Sequence, residues 1–376
     1  MSKLQEEINR RRTFAIISHP DAGKTTLCES ILYQSGSIPE KGRVDHRDSF
    51  LDYREFERKK GITVRNKEAR FSYGNKNYVY VDTPGHLDFA GEVNRSFEIL
   101  DAAILIINAC GPVPADTVRR FSHLRSMHIP VCIFLNKMDL VHRQIEEILN
   151  DLKEQLDPSV ILSADTKETV ALNHEEALEV YLESGEVDER LIVSDLKEGC
   201  LFPVFSGSAL REEGIEELLE YISRYVEVPA SSAHFKAYIY KVDEYAHLKI
   251  FSGTLRNRDA FGEYKISEIV RFNGNRSKQV REVSGPDLCA VKGLQGLKAG
   301  TWLPSLICEE GIELNTLTYR ILSDLDPNEL YRKIVILNQE FPELKIKLDD
   351  GVNIELVGEL QKDFIQKRIA EQFGLN

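Results

Sequence analysis

The sequence has six cysteines, and no two of them lie closer than 19 residues apart. That spacing excludes a local CxxC metal or redox pair, and the lack of a disulfide framework predicts a reduced, cytoplasmic protein. Long apolar runs are missing too. The stretch Ala102 to Ile107 is strand length, well short of the ~18 residues that cross a bilayer. The N-terminal "MSKLQEEINRRR" has no apolar core of the signal-peptide kind. No membrane association is expected. Positive charge is also scarce, with 48 Lys+Arg against 61 Asp+Glu. The deficit is local: residues 141–200 hold 16 acidic and 5 basic side chains, a net −11 of the chain's −13. Such a block is either a solvated helical face or a surface for a basic partner.

At 376 residues the chain is long enough for two or three domains. Up to about residue 228 the apolar segments "TFAIIS", "YVYVDT", "AAILIIN", "PVCIFLN" and "LFPVFSG" alternate with amphipathic helical stretches. That pattern predicts an α/β domain with a mostly parallel sheet, covering residues 1–228 and carrying an acidic insertion within 141–200. The hairpin turning at Gly74-Asn75 should add an antiparallel edge strand. Gly36 to Gly61 is a long polar loop, of the kind that is functional in a compact domain. "VPASSAH" reads as a linker. Short alternating segments follow, predicting a small β-barrel over 235–313. From 314 to 376 the order strand-helix-hairpin-helix predicts an α+β split βαβ domain, ferredoxin-like. That fold needs one more strand, so the sequence is expected to end inside a domain. The first strand, "TLTYRIL", is then an open edge.

Four short segments carry chemistry. "SHPDAGKTT" (Ser18 to Thr26) follows a strand and opens a helix, which is the arrangement of a phosphate cradle. Its backbone N–H groups point at the anion and Lys24 reaches the outer phosphates; the common form has a glycine where Ser18 stands. "VDTPGH" places Asp82 at a strand end, where it can hold a magnesium-bound water, and Gly85 where its N–H can meet a terminal phosphate. In "NKMD", Asp139 can accept the N1–H and 2-amino hydrogens of guanine, while Asn136 meets the other edge. Adenine presents the wrong donors there. "SGSA" offers backbone N–H groups to the guanine O6. All four lie at carboxyl ends of strands, in the order a nucleotide hydrolase needs. They predict a GTP site built from Ser18, His19, Pro20, Asp21, Ala22, Gly23, Lys24, Thr25, Thr26, Asp82, Thr83, Pro84, Gly85, Asn136, Lys137, Met138, Asp139, Ser208 and Ala209. Thr63, in "KKGITV", can reach Mg²⁺ while the γ-phosphate holds its loop down, and release on hydrolysis makes a switch. His86, after the flexible Gly85, is placed to orient the attacking water.

"HPDAGKTTL", "KKGITV", "VDTPGHLDFAGEV", "FLNKMD" and "GSA" together resemble translational GTPases of the elongation factor G group, over essentially the whole chain. "TLCESILYQSGSI" and "CLFPVFSGSALREEGIEELLEYI" look most like the tetracycline-resistance ribosomal protection proteins. "RRTFAIISHPDAGKTT" looks like the release-factor GTPase, although "GITV" favours the other two. The resemblance implies ribosome-stimulated hydrolysis of GTP to GDP, with His86 as the catalytic residue. It also implies Mg²⁺ held by Thr25, Thr63 and, through water, Asp82, and a monovalent cation at Asp21 and the Gly61 carbonyl. The implied partners are the ribosome, through its rRNA and its stalk protein, the latter at the acidic block around Glu175, Glu176, Glu179 and Glu183. A monomer is expected. Two departures stand out: "NACGPVPADT" lacks the usual glycine-valine turn, and the fourth and fifth domains that the resemblance implies are not expected within these 376 residues. A release factor, or a ribosome-binding fragment that completes no cycle, are the alternatives.

Overall fold

The computed structural model describes residues 3–42, 57, 63–227, 232, 234–309 and 316–375. The polar loop from Arg43 to Ile62, apart from residue 57, therefore lies outside the described residues, including the Gly61 carbonyl. So does most of the linker, residues 228–231 and 233. The chain forms two compact units. The first comprises residues 1–53, 67–82 and 100–229; the second comprises 54–66, 83–99 and 230–376.

In the first unit seven strands build one sheet: β1 (Arg11–Ser18), β2 (Lys67–Tyr73), β3 (Lys76–Asp82), β4 (Ala102–Asn108), β5 (Val131–Asn136), β6 (Val160–Leu162) and β7 (Phe202–Ser206). Their order is β2-β3-β1-β4-β5-β7-β6, parallel except for β2. Ala102 to Ile107 are all buried, because a parallel strand with helices on both faces meets no water. Each such Ile or Leu contributes ~1.5–3 kcal/mol of burial. The sheet runs to opposite sides from β1, with β3 on one flank and β4 on the other. Such a reversal opens a crevice at the carboxyl end of β1, where open α/β sheets bind ligands.

The acidic block is more structured than a plain insertion. It supplies β6, which extends the sheet beyond β7, and four helices, Ile145–Gln155, Thr166–Asn173, Glu175–Ser184 and Glu189–Glu198. Val170, Ala171, Ala177, Ile192 and Leu196 join the core of the first unit. Buried Asp195 accepts from Asn173 Nδ2 at 3.0 Å and pairs with His174 Nε2 at 2.8 Å, fastening the helices together. Glu175, Glu176, Glu179 and Glu183 all remain exposed.

The second unit holds two further cores. The expected barrel is a seven-stranded antiparallel sheet with two short ribbons, made by β8 (Lys236–Val242), β9 (Ala246–Ser252), β10 (Thr254–Arg256), β11 (Ala260–Phe261), β12 (Tyr264–Lys265), β13 (Glu268–Asn273), β14 (Arg276–Val280), β15 (Glu282–Ser284), β16 (Asp287–Lys292), β17 (Thr301–Leu303) and β18 (Ile307–Cys308). Ile239, Leu248, Ile250, Ile269, Cys289 and Val291 fill it. The remaining residues form β19 (Leu317–Arg320), β20 (Lys345–Leu348) and β21 (Val352–Leu356), with the helices Pro327–Ile334 and Glu359–Phe373. Asp326 caps the first helix by accepting from the Asn328 N–H at 2.9 Å, and Pro327 occupies its first turn. The sheet order is β19-β21-β20, so among the described residues both outer strands pair on one side only. Amide exchange is accordingly expected to be slowest in β21 and faster at Leu317–Arg320. Equal protection of β19 and β21 in a dilute monomeric sample would show that the outer edge is covered.

Candidate functional site

The first unit brings most of the sequence-predicted residues to the carboxyl ends of its strands. β1 ends at Ser18 and the helix Lys24–Gln34 begins shortly after it. Between them the backbone turns through Asp21, with φ of 65°, and Gly23, with φ of 98°. Both angles are left-handed, which an L side chain adopts only with strain. Gly23 has a second constraint: a Cβ there would lie 2.3 Å from Asn136 Nδ2. The loop therefore closes against the end of β5.

Asn136 explains that closeness. Its Nδ2 donates to the Ala22 carbonyl at 2.8 Å, and its Oδ1 accepts from the Ala209 N–H at 2.8 Å. One buried amide thus ties "SHPDAGKTT" to both "NKMD" and "SGSA". Nδ2 carries a second hydrogen for a base, whereas the Ala209 N–H already serves Asn136 Oδ1. Lys137, itself left-handed at φ 66°, reaches across to the Asp21 carbonyl with its ammonium at 2.9 Å. Ser30 Oγ donates to the Ala209 carbonyl at 2.7 Å, and Met138 N–H to the Gly207 carbonyl at 3.0 Å.

Lys24 Nζ sits 3.0 Å from Asp82 Oδ1, both largely buried. Tyr80 donates its hydroxyl to the same oxygen at 2.9 Å. Burial alone would push the Asp82 carboxyl up, but Lys24 and Lys67, with the hydrogen bonds from Lys24 and Tyr80, hold it below its ordinary value. The carboxylate is therefore ionised at neutral pH. Together with the Thr25 hydroxyl it supplies hard oxygen donors, the type Mg²⁺ takes.

Three supports were not read from the sequence. Asp139 pairs with Arg211 Nε at 3.2 Å. Asp116 Oδ1 lies 3.3 Å from His19 Nδ1, and Asp116 Oδ2 lies 3.2 Å from Arg120 Nε. Arg120 in turn donates to the Ser18 carbonyl at 3.4 Å. Asp116 and Arg120 stand on the helix Ala115–Ser126, which follows the divergent "NACGPVPADT". That segment therefore braces the start of the phosphate loop. The sequence marks this segment only as a departure from the usual glycine-valine turn, which names no partner.

Thr63, Thr83, Pro84, Gly85 and His86 belong to the second unit. The stretch after Thr63 is fastened by buried charge. Glu57 Oε1 accepts from the Val64 N–H at 2.7 Å and the Arg65 N–H at 3.1 Å. Glu92 Oε1 accepts from the Asn66 N–H, and Lys241 Nζ donates to the Asn66 carbonyl, each at 3.0 Å. Arg65 is only 1% exposed. Its guanidinium donates to the Val242 carbonyl, lies 3.7 Å from Glu92 and 3.6 Å from Glu340, and stacks 4.6 Å above the Phe341 ring. Burial pushes the Glu92 carboxyl up, yet Arg65, Arg95 and the Asn66 N–H hold it below its usual range. His86 begins a short turn, Leu87–Phe89, and its Nδ1 accepts from the Asp88 N–H at 3.2 Å.

A strand-loop-helix with a lysine at the helix start, facing an ionised strand-end aspartate, defines a P-loop nucleotide-binding domain. The Elongation factor Tu GTP binding domain family matches residues 9–228, more than half of the chain, and the chain belongs to that family. It is 27% identical to tetracycline resistance protein TetP of Clostridium perfringens, over 96% of this chain and 63% of that protein. It is 28% identical to the oxytetracycline resistance protein of Streptomyces rimosus over the same shares. TetM of Ureaplasma urealyticum is 33% identical over 72% of this chain and 48% of its own length. The chain thus spans less than two thirds of these relatives. A crystal structure of a Thermus thermophilus protein superimposes with a TM-score of 0.80 at 22% identity, covering 97% of this chain and 66% of that one, and shares the fold.

Proposed function

We propose that the chain binds GTP and hydrolyses it to GDP and phosphate as a ribosome-dependent translational GTPase, of the elongation-factor-G-like or tetracycline ribosomal protection type. The observation that carries this reading is the three-way tie at Asn136, which holds the phosphate loop, "NKMD" and "SGSA" as one site. The tetracycline-resistance names of its relatives favour this type, and the release-factor alternative gains no support from them. In this reading Lys24 and the N–H groups of the loop bind the phosphates, and Thr25 and, through water, Asp82 hold Mg²⁺ in the first unit. Thr63 is assigned to the same ion from its place in "KKGITV". The ion, when bound, neutralises charge on the β- and γ-phosphates. A monovalent cation at Asp21 would share that turn with the Lys137 ammonium.

Hydrolysis by the chain alone is expected near ~10⁻⁴ s⁻¹, the scale of unassisted GTPases. Added ribosomes should raise single-turnover hydrolysis of GTP, and not of ATP. GTP binding without any stimulation would instead mark a ribosome-binding module that completes no cycle.

Guanine selectivity rests on Asp139. Replacing it with Asn exchanges a double acceptor for a donor-acceptor pair, so GTP should weaken and xanthosine triphosphate should gain. Each charged hydrogen bond is worth ~1.5–3 kcal/mol, and the loss of GTP affinity should be roughly tenfold or more. Fluorescent-nucleotide titration showing an unchanged order of GTP, ATP and XTP would remove the assignment.

The exposed glutamates of Glu175–Ser184 are proposed to face a basic surface of the ribosomal stalk and to turn away from rRNA, whose phosphates repel them. Reversing the four charges should slow ribosome-stimulated turnover at low salt and leave nucleotide binding intact. Equal stimulation by stalk-depleted and complete ribosomes would leave the helix as solvated surface.

A further inference from the structure

The turn that follows His86 is joined to a helix more than 270 residues downstream. Asp88, on that turn, is buried, and its Oδ2 accepts from the Leu360 N–H at 3.0 Å and the Gln361 N–H at 3.3 Å. These are first-turn amides of the helix Glu359–Phe373, whose own N-cap residue, Gly358, makes no side-chain cap bond. Asp88 therefore caps this helix from outside it, with a carboxylate at the positive end of the helix dipole. Packing reinforces the join, since Phe89 meets Phe364 edge to face at 6.0 Å. The fit at Gly358 is tight: a Cβ there would lie 2.4 Å from both Asp88 carboxylate oxygens.

The other oxygen of the same carboxylate, Oδ1, lies 3.2 Å from His86 Nδ1. That nitrogen has two alternative partners. In the neutral ring it accepts the Asp88 N–H, which leaves the proton on Nε2, the nitrogen away from the turn. A ring protonated at Nδ1 would donate to Asp88 Oδ1 instead. The helix amides hold Oδ2 of that carboxylate while Oδ1 stands beside the imidazole, so a shift of the helix N-terminus would move the oxygen that faces His86.

We propose that Asp88 is a positioning residue for hydrolysis, coupling the ring orientation and tautomer of His86 to the seating of the helix Glu359–Phe373, with Gly358 as the space that allows it. This rests on the reading of His86 as the residue that orients water. A partner that shifts this helix would thereby act on His86 without touching it.

The test uses the full chain, ¹⁵N-labelled at histidine, with the His86 ring signals assigned by their loss in His86→Ala. Gly358→Ala, Asp88→Ala and Asp88→Asn should each displace the His86 ring ¹⁵N shifts. Each should also lower ribosome-stimulated single-turnover hydrolysis at least roughly tenfold, with ribosome concentration dependence and GTP affinity unchanged. In the Asp88→Ala background, Gly358→Ala should cost nothing further, because the methyl group no longer meets a carboxylate. Unmoved His86 shifts in Gly358→Ala, or losses that simply add in the double variant, overturn the coupling. If Gly358→Ala fails to fold, the shifts and rate of the near-isosteric Asp88→Asn decide. Displaced shifts together with a His86→Ala variant that hydrolyses normally would leave the positioning standing and dismiss His86 as the water-orienting group.

Discussion

His86→Ala is expected to bind GTP within a few fold of the unmodified chain and to lose ribosome-stimulated hydrolysis by roughly 10²–10⁴-fold, the range for removing a positioned proton-handling group. The physical case has three parts. His86 lies just beyond Asp82 and after Gly85, where an added Cβ would meet nothing within 4 Å. Its Nδ1 is engaged by the Asp88 N–H, which leaves Nε2 for a water. Its side chain is 37% exposed, enough for solvent to reach it. Nucleotide affinity should survive because the groups proposed to bind the phosphates, Lys24 and the loop amides, lie in the other unit and keep their own supports. Stimulated turnover at the unmodified rate in the variant would reduce His86 to an ordinary loop histidine.

Arg65→Met should destabilise the second unit by about 3 kcal/mol, at the lower end of the cost of breaking a buried ion pair by removing one partner. The guanidinium faces Glu92 and Glu340 with almost no solvent. Methionine matches much of its volume, so lost packing contributes little, and what remains is carboxylate charge left with fewer partners. The loss stays at the low end because Arg95 also meets Glu92 and Arg368 also meets Glu340. Trp302, the single tryptophan, lies in the second unit, so urea unfolding followed by its fluorescence reports this transition separately from the nucleotide-binding unit. A midpoint shift corresponding to less than about 1 kcal/mol would place the Arg65 pairs in the weak class of surface ion pairs.

Short contiguous patterns were legible because their chemistry is local. A strand, a loop with Gly23 and Lys24, and a helix follow one another without interruption, and the backbone there can take few other courses. Ala102 to Asn108 read as a buried parallel strand because its run of apolar and small residues has no wet face, and the strand has those bounds. The turn at Gly74 and the Asp326-Pro327 helix start were equally local, each set by one residue's φ preference or one cap.

The order of elements and the residue types at the nucleotide site thus follow from local chemistry along the chain. Which distant groups share a partner is set by folding alone. Asn136 bridges the loops at Ala22 and Ala209, Asp116 and Arg120 brace Ser18 and His19, Arg211 meets Asp139, and Asp88 caps a helix at Leu360. The acidic block could be counted in the sequence, but its β6 strand and its buried Asp195 could not, since a strand of 3 residues has no period to read. Likewise, residues 57 and 63–66 and the turn bearing His86 group with the later part of the chain. The reason is physical: the value of a charge such as Arg65 depends on its burial and on the carboxylates around it. Both are properties of chain segments brought together by folding, which no window along the sequence contains.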